Sequence, residues 1–232
     1  IVANDDTPPT VDGAAGNPAL GNAFTNDTLN GAPVNVADIT ATIITPASNS
    51  NVTIDPVTGV ISAAPGTPNG AYTIVYQICE NLNPANCEQA TVTVVVTSGP
   101  ITADNDSVFG INGYAGGPDV LEVLPGDLLN GAPVTAGPGG TVIVSVVTPA
   151  TPVNPGNPVP VLDPATGRIT VPPGTPAASY PITYQICDAL NPANCTTAIA
   201  TVDVMAAPIL AVDDTAGPVN GASGNPSVIN AF

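Results

Sequence analysis

Tyr76-Gln77-Ile78-Cys79, followed by Leu82-Asn83-Pro84-Ala85-Asn86-Cys87, returns about a hundred residues later as Tyr184-Gln185-Ile186-Cys187 and Leu190-Asn191-Pro192-Ala193-Asn194-Cys195. Upstream of the first cysteine, Tyr72, Ile74, Tyr76 and Ile78 share one parity, and Ala90, Val92, Val94 and Val96 do the same after the second. Successive side chains of a strand point to opposite faces, so an apolar period of two marks a half-buried strand. The block therefore predicts two strands joined in a hairpin, with Asn-Pro-Ala-Asn at the tip and a cysteine on each side of it.

The four cysteines, Cys79, Cys87, Cys187 and Cys195, form an even, locally paired set, one pair to each block. Zinc is the competing use of such pairs, but the spacing does not fit a zinc knuckle and the chain has no histidine. The expectation is disulfides and an oxidising compartment. A loop this short gives about 2–3 kcal/mol on the chain-entropy view.

Outward from the hairpin the whole chain repeats. Ile1-Val2-Ala3-Asn4-Asp5-Asp6 recurs as Ile101-Thr102-Ala103-Asp104-Asn105-Asp106 and as Ile209-Leu210-Ala211-Val212-Asp213-Asp214. Leu29-Asn30-Gly31-Ala32-Pro33-Val34 returns as Leu129-Asn130-Gly131-Ala132-Pro133-Val134, and Asp55-Pro56-Val57-Thr58-Gly59 as Asp163-Pro164-Ala165-Thr166-Gly167. The units are 1–100, 101–208 and a truncated third, 209–232, which matches 1–24 without a gap. The second unit is longer, and its extra length is expected in the Pro-rich stretch between Thr148 and Val161, where an insertion is mild.

Only 3% of the residues are aromatic and none is Trp, so the core must be built from Val, Ile, Leu and Ala. β-Branched side chains pack well on a pleated surface. The 23 Gly and 28 Pro are spread along the chain and punctuate the apolar runs. Strands are predicted near 1–4, 18–26, 34–45, 51–54, 59–63, 71–79 and 89–97. Seven short strands in about 100 residues give an all-β fold of tandem immunoglobulin-like sandwiches. Pro181, standing where the first unit has Thr73, requires a ladder position without an essential N–H donor.

Eighteen acidic residues face one basic residue, Arg168. Nucleic acid binding needs cations against phosphate, and attraction to an anionic membrane surface needs them too, so neither partner is expected. No stretch approaches the ~18 apolar residues of a membrane-spanning helix. A Ser–His–Asp arrangement is impossible without histidine, and no phosphate-binding glycine loop follows a strand and opens a helix. Paired carboxylates suit glycoside hydrolysis, but the same Asp positions recur in each unit, as a scaffold requires. The chain reads as non-catalytic.

Three stretches carry a resemblance: Asn26-Asp27-Thr28-Leu29-Asn30-Gly31, the Asp-Pro-x-Thr-Gly turn at 55–59, and Gly-x-Tyr-x-Ile-x-Tyr-Gln-Ile-Cys at 70–79. Together they resemble the tandem Ig-like or cadherin-like repeats of giant bacterial surface proteins. That resemblance implies secretion to the cell surface and a part in adhesion or appendage formation, and it supplies no catalytic residue.

The acidic residues at the unit starts are Asp5 and Asp6, Asp104 and Asp106, and Asp213 and Asp214. Calcium takes six to eight oxygen ligands, and Asn4 and Asn105 would add to the carboxylates. Relief of carboxylate repulsion favours a bound cation there, and the cadherin-like resemblance implies a calcium clasp at each joint. The plain alternative is a solvated turn. Asp27 and Asp127 occupy equivalent places; Asp27 would join the junction cluster if the second strand ends near it and otherwise caps a loop, and Asp55 and Asp163 read as turn formers.

The expected function is a stalk or fibre building block of a secreted bacterial surface adhesin or extracellular filament. Its partners would be neighbouring repeats of the same chain or identical subunits in a fibre. A covalent string of modules needs fewer assumptions than strands exchanged between subunits. The alternative is an Ig-like module whose loops bind carbohydrate or protein, and it predicts an exposed loop aromatic, for which Phe109 and Tyr114 are the exceptions to the strand pattern.

Overall fold

A computed structural model describes residues 1–215 and 217–223. The first sandwich contains β1 (Val11–Asp12), β2 (Asn17–Asn22), β3 (Thr28–Leu29), β4 (Ala32–Pro33), β5 (Ile39–Thr45), β6 (Val52–Ile54), β7 (Val60–Ala63), β8 (Gly70–Glu80) and β9 (Cys87–Thr97). The second contains β10 (Ile101–Thr102), β11 (Asp106–Asn112), β12 (Gly117–Glu122), β13 (Leu128–Leu129), β14 (Ala132–Pro133), β15 (Val142–Thr148), β16 (Val161–Asp163), β17 (Arg168–Val171), β18 (Ala178–Asp188) and β19 (Cys195–Met205). The fold is all-β, two β-sandwiches in tandem.

In each, a four-stranded sheet faces a three-stranded one: β1-β9-β8-β5 against β2-β7-β6, then β11-β19-β18-β15 against β12-β17-β16. The long hairpins form the backbone of the design. β8 and β9 pair antiparallel from Gly70 opposite Val96 to Cys79 opposite Cys87, and β18 and β19 pair from Ala178 opposite Val204 to Cys187 opposite Cys195. The same-parity residues of the sequence are the core: Ile74, Tyr76, Ile78, Val92 and Val94 are at most 1% exposed. Ile182, Tyr184, Ile186, Ala200 and Val202 repeat them.

The first chain segment divides itself between the sheets. Val2 bridges Thr28 antiparallel, whereas Asp6 bridges Val92 and β1 pairs β9 in parallel. This adds a strand beside the long hairpin and covers an edge that would otherwise present free N–H and C=O groups. Gly13 closes the arrangement by accepting from the N–H of Gly66 and of Thr67 at 2.8 and 3.0 Å. A Cβ on Gly13 would collide with the Thr67 carbonyl, as one on Gly113 would with that of Thr175.

Several boundaries differ from the expected ones, each for a local reason. The run 34–45 is a strand only from Ile39, because Asn35 turns the chain: its Oδ1 accepts from Ala37 N and its carbonyl from Asp38 N. β2 stops at Asn22, whose Oδ1 accepts from Phe24 N at 2.9 Å. The β3–β4 hairpin was hidden by shortness; Asn30 and Gly31 at φ 53° and 76° make its two-residue turn. Pro181 is accommodated because β15 ends opposite Thr183, so nothing requires an N–H on that side.

The length difference is a correction. Val34 corresponds to Val134, Ile39 to Val142 (they face Glu80 and Asp188), and Ile54 to Leu162 (facing Ile61 and Ile169). The offset thus grows from 100 to 103 to 108, placing three extra residues in the Gly-rich loop before Val142 and only five between β15 and β16. Among the described residues after Met205 there is no strand, and Ile209 and Leu210 are 96% and 87% exposed. The residues matching Gly16–Phe24 lie outside the described ones.

Disulfides join Cys79 to Cys87 and Cys187 to Cys195, with Cα atoms 4.1 Å apart in each pair. Replacing Cys79 and Cys87 together by Ser is expected to lower the first sandwich's unfolding free energy by about 2–3 kcal/mol. Urea titration reads the loss, with the far-ultraviolet β signature retained below the transition.

Candidate functional site

Neighbours along an extended chain point opposite ways, so Asp5 and Asp6 make different contacts. Asp5 points outward, where its Oδ1 accepts from the Thr91 N–H at 2.8 Å. In the second sandwich Asn105 does the same for Ile199, also at 2.8 Å. A neutral amide fills the place, so the position requires an acceptor oxygen rather than a charge. Asp6 and Asp106 point inward. Asp104 lies on an exposed stretch with its carboxylate beside Gly126, and Asp213 and Asp214 are exposed on a segment without strands.

What the structure brings together is Asp6 with Asp27 and Tyr76. The Tyr76 hydroxyl oxygen lies 2.9 Å from Asp27 Oδ2, 2.9 Å from the Ala23 carbonyl, 3.4 Å from Asp6 Oδ2 and 3.4 Å from the Asn4 carbonyl. The second sandwich repeats this around Tyr184: Val123 O at 2.8 Å, Asp104 O at 3.1 Å, Asp106 Oδ2 at 3.1 Å and Asp127 Oδ2 at 3.3 Å. Asp27 and Asp127 are fully buried. Their second oxygens accept main-chain N–H bonds at 2.8 Å from Asn4 and Asp104, which locks the first segment to the turn after β2 or β12.

A phenol carries one proton and can donate to only one of four surrounding acceptors. The others face it as oxygen against oxygen, so a second proton is favoured in the cluster. The carboxyls show this. Burial, then the charge of Asp27, pushes Asp6 up to about 6 against the bond from Tyr76; burial likewise pushes Asp106 up to about 6, opposed by Tyr184 and reinforced by Asp127. Asp27 and Asp127 are raised too, chiefly by burial, with the bonds from Asn4 and Asp104 opposing. Burial and the flanking carboxylates hold both tyrosines well above the usual phenol range, so they remain protonated.

For calcium the donor chemistry is right, with a tyrosine hydroxyl standing between the carboxylates. Each cluster is made only of oxygens, as a hard cation prefers. Two carboxylates flank the tyrosine hydroxyl in each, and the charge of Asp5 or Asp104 also acts on Asp6 or Asp106. Among the described residues no group of three or more Asp, Glu, His or Cys side chains is arranged to hold a metal ion. The tyrosines escaped the sequence reading because they share parity with Ile and Val; the available signal was that a hydroxyl on a buried face needs a partner. Asp55 and Asp163 are turn formers, each accepting from the N–H two residues on and from a threonine hydroxyl.

A concavity of about 520 Å³ lies on the first sandwich among small side chains including Ala15, Asn17, Thr53 and Ser62, without an aromatic ring or a charge. Phe109 and Tyr114 lie elsewhere, 71% and 81% exposed.

A group whose pKa is raised on folding favours the folded state below its unfolded value and loses that contribution as pH rises through the folded value. The protein should therefore melt at higher temperature as pH falls from 7 towards 4, with the gain beginning near 6, the raised value of Asp6 and Asp106, and complete only below 3.8, their ordinary one. Asp6→Asn with Asp106→Asn should flatten this profile and stabilise each sandwich at pH 7 by about 1 kcal/mol, allowing for partial exposure. Melting curves across that range, with the wild type beside the variant, check it.

No family model matches the chain, and no curated protein matches it. Solved structures do align with it. The protocadherin gamma B2 extracellular cadherin domains 3–6 share 13% identity, with 88% of this chain and 50% of that one covered at a TM-score of 0.38. The human desmocollin-1 ectodomain shares 13%, over 87% and 40%, at 0.31. Mouse cadherin-23 EC22–24 shares 15%, over 88% and 63%, at 0.33. The chain thus spans half or less of the first two, and the likeness is one of tandem sandwich architecture that assigns no role to any residue.

Proposed function

We propose that the chain is a structural, non-catalytic repeat region of a secreted bacterial surface adhesin or extracellular filament, working as a stalk or fibre unit. The observation that carries this reading is the repetition of one complete device: the same core, buried Tyr–Asp–Asp cluster and disulfide-closed hairpin, set in series. Repetition of a whole scaffold suits load and length. The disulfides support an oxidising, extracellular location. Antibody raised to the chain should decorate intact, unpermeabilised cells or filaments; labelling that appears only after lysis would remove the reading. Stretching single molecules should give two unfolding steps of roughly 300 Å each, from about 3.5 Å per released residue. A single larger step would contradict independent sandwiches in series.

Calcium enters as a second reading, supported by the all-oxygen clusters. Asp6 and Asp27 would hold it with the Asn4 and Ala23 carbonyls, and Asp106 and Asp127 with those of Asp104 and Val123, once the tyrosine hydroxyl yields. Calcium at millimolar concentration should then raise the melting temperature at pH 7 and do so less at pH 5, where Asp6 and Asp106 are protonated. Calorimetry showing neither heat nor a melting shift at pH 7 would eliminate it.

A further inference from the structure

The two sandwiches meet with almost no free chain between them. β9 ends at Thr97 and β10 begins at Ile101, and the second sandwich takes hold of what lies between. Asn194 Nδ2 donates to the Gly99 carbonyl at 2.9 Å, and Asn130 N–H donates to the Pro100 carbonyl at 2.7 Å. β10 then pairs with β13, Ile101 opposite Leu129, and Asp104 N–H donates to Asp127 Oδ1 at 2.8 Å. Gly99 is buried against Asn130. A Cβ there would stand 2.7 Å from the Asn130 Cβ, so the approach requires a glycine.

A second contact crosses from the body of the first sandwich. Asn69, just before β8, donates its main-chain N–H to Asn191 Oδ1 at 2.6 Å. Asn191 and Asn194 both stand on the disulfide-closed tip between β18 and β19, and Asp188 arranges them. Its Oδ2 accepts from Asn191 Nδ2 and its Oδ1 from Leu190 N–H, each at 2.8 Å. An amide held by its nitrogen presents its oxygen elsewhere, here to Asn69. Asp188 and Asn191 are each 4% exposed. With both carboxylate oxygens engaged by Asn191 and Leu190, the Asn194 amide is left for the Gly99 carbonyl.

The equivalent acid in the first sandwich is Glu80, longer by a methylene. Glu80 Oε1 accepts from Asn83 Nδ2 at 2.8 Å and Oε2 from Asn86 Nδ2 at 2.9 Å, so the longer acid holds both amides of the same Asn-Pro-Ala-Asn tip. The loop backbones are otherwise alike: Glu80 N–H donates to the Asn86 carbonyl at 3.1 Å, and Asp188 N–H to that of Asn194 at 2.9 Å. The reach of the acid decides whether the last amide turns into the loop or out to the linker.

We propose that Asp188 makes the second hairpin tip a rigid joint that needs no cation: by holding Asn191 and sparing Asn194, it lets the tip clamp the Asn69 turn and the linker together and fixes the angle between the sandwiches. Modules joined by a small contact ordinarily move against each other. Here the carbonyls of Gly99 and Pro100 are both held, and the Pro100 ring fixes its own φ, so few torsions are left to turn. A fixed angle adds stiffness to the structural-repeat reading and does not rest on it, since it belongs to the chain wherever the protein works.

Residual dipolar couplings of the full chain in EDTA read the joint. The wild type should give one alignment tensor for both sandwiches. Asp188→Glu should capture the Asn194 amide as Glu80 captures that of Asn86, so that the two tensors differ in size while the chemical shifts inside each core persist. Asn194→Ala, which leaves Asp188 and its buried bonds in place, should loosen the joint to the same extent, by roughly fivefold in open population for one lost hydrogen bond. The double variant should be no looser than either single one, because both changes remove the same contact. Unequal tensors in the wild type overturn the proposal, including the case in which added calcium makes them equal. So does a common tensor that survives Asp188→Glu or Asn194→Ala, and so does a double variant looser than both.

Discussion

One buried phenol hydroxyl fixes each sandwich. Tyr76 rises from β8 in the four-stranded sheet, and around its oxygen stand the carbonyl of Asn4, the carboxylate of Asp6, the carbonyl of Ala23 and the carboxylate of Asp27. Those four groups belong to the first segment and to the turn after β2, the two pieces of chain that leave one sheet for the other. With 3% aromatic residues and no Trp, the core has few large side chains to set the distance between sheets. A directional polar contact supplies what bulk does not. Its repetition around Tyr184, with Leu124 standing where the first sandwich packs Phe24 against Tyr76, shows that the polar arrangement persists while the apolar packing beside it changes.

This choice follows from composition. A buried carboxylate is ordinarily stabilised by a paired cation, but the chain has a single Arg and no Lys. Arg168 is spent on Glu122 and Asp119 at an exposed site. The carboxylates inside must be satisfied by main-chain N–H groups, by a hydroxyl and by protons. Outside, the same substitution of backbone for cation organises the loops: Asp12, Asn17, Asn22, Asn35, Asn49 and Asp55 each accept from an N–H two residues further on. Asp and Asn thus serve as turn-makers first and as charges second.

That double use explains which parts of the sequence were legible. The β8–β9 hairpin was readable because period-two burial and the cysteine spacing both state its register, and the Asp55 turn because Pro and Gly mark it. The strand break at Asn35 was not, since an Asn followed by apolar residues fits an extended run until its side chain bonds its own backbone. The same ambiguity hid the site. The consecutive acids at each unit start read as a pair, yet strand geometry sends Asp5 and Asp6 to opposite sides, and the partner of Asp6 is 21 residues away in the turn at Asp27. Tyr76 was assigned to the core correctly. Its hydroxyl was the part that pattern alone leaves unplaced.

The two sandwiches are near copies inside and differ at their ends, and the differences are ordered. Where they touch, a glycine and four asparagines allow the backbones to meet. Where they face outward, a longer acid ties up the amides, and small or polar residues give way to Met, Tyr and Ala. Core positions in a repeat answer to the same packing demand in every copy, whereas an end residue answers to whatever stands beyond it.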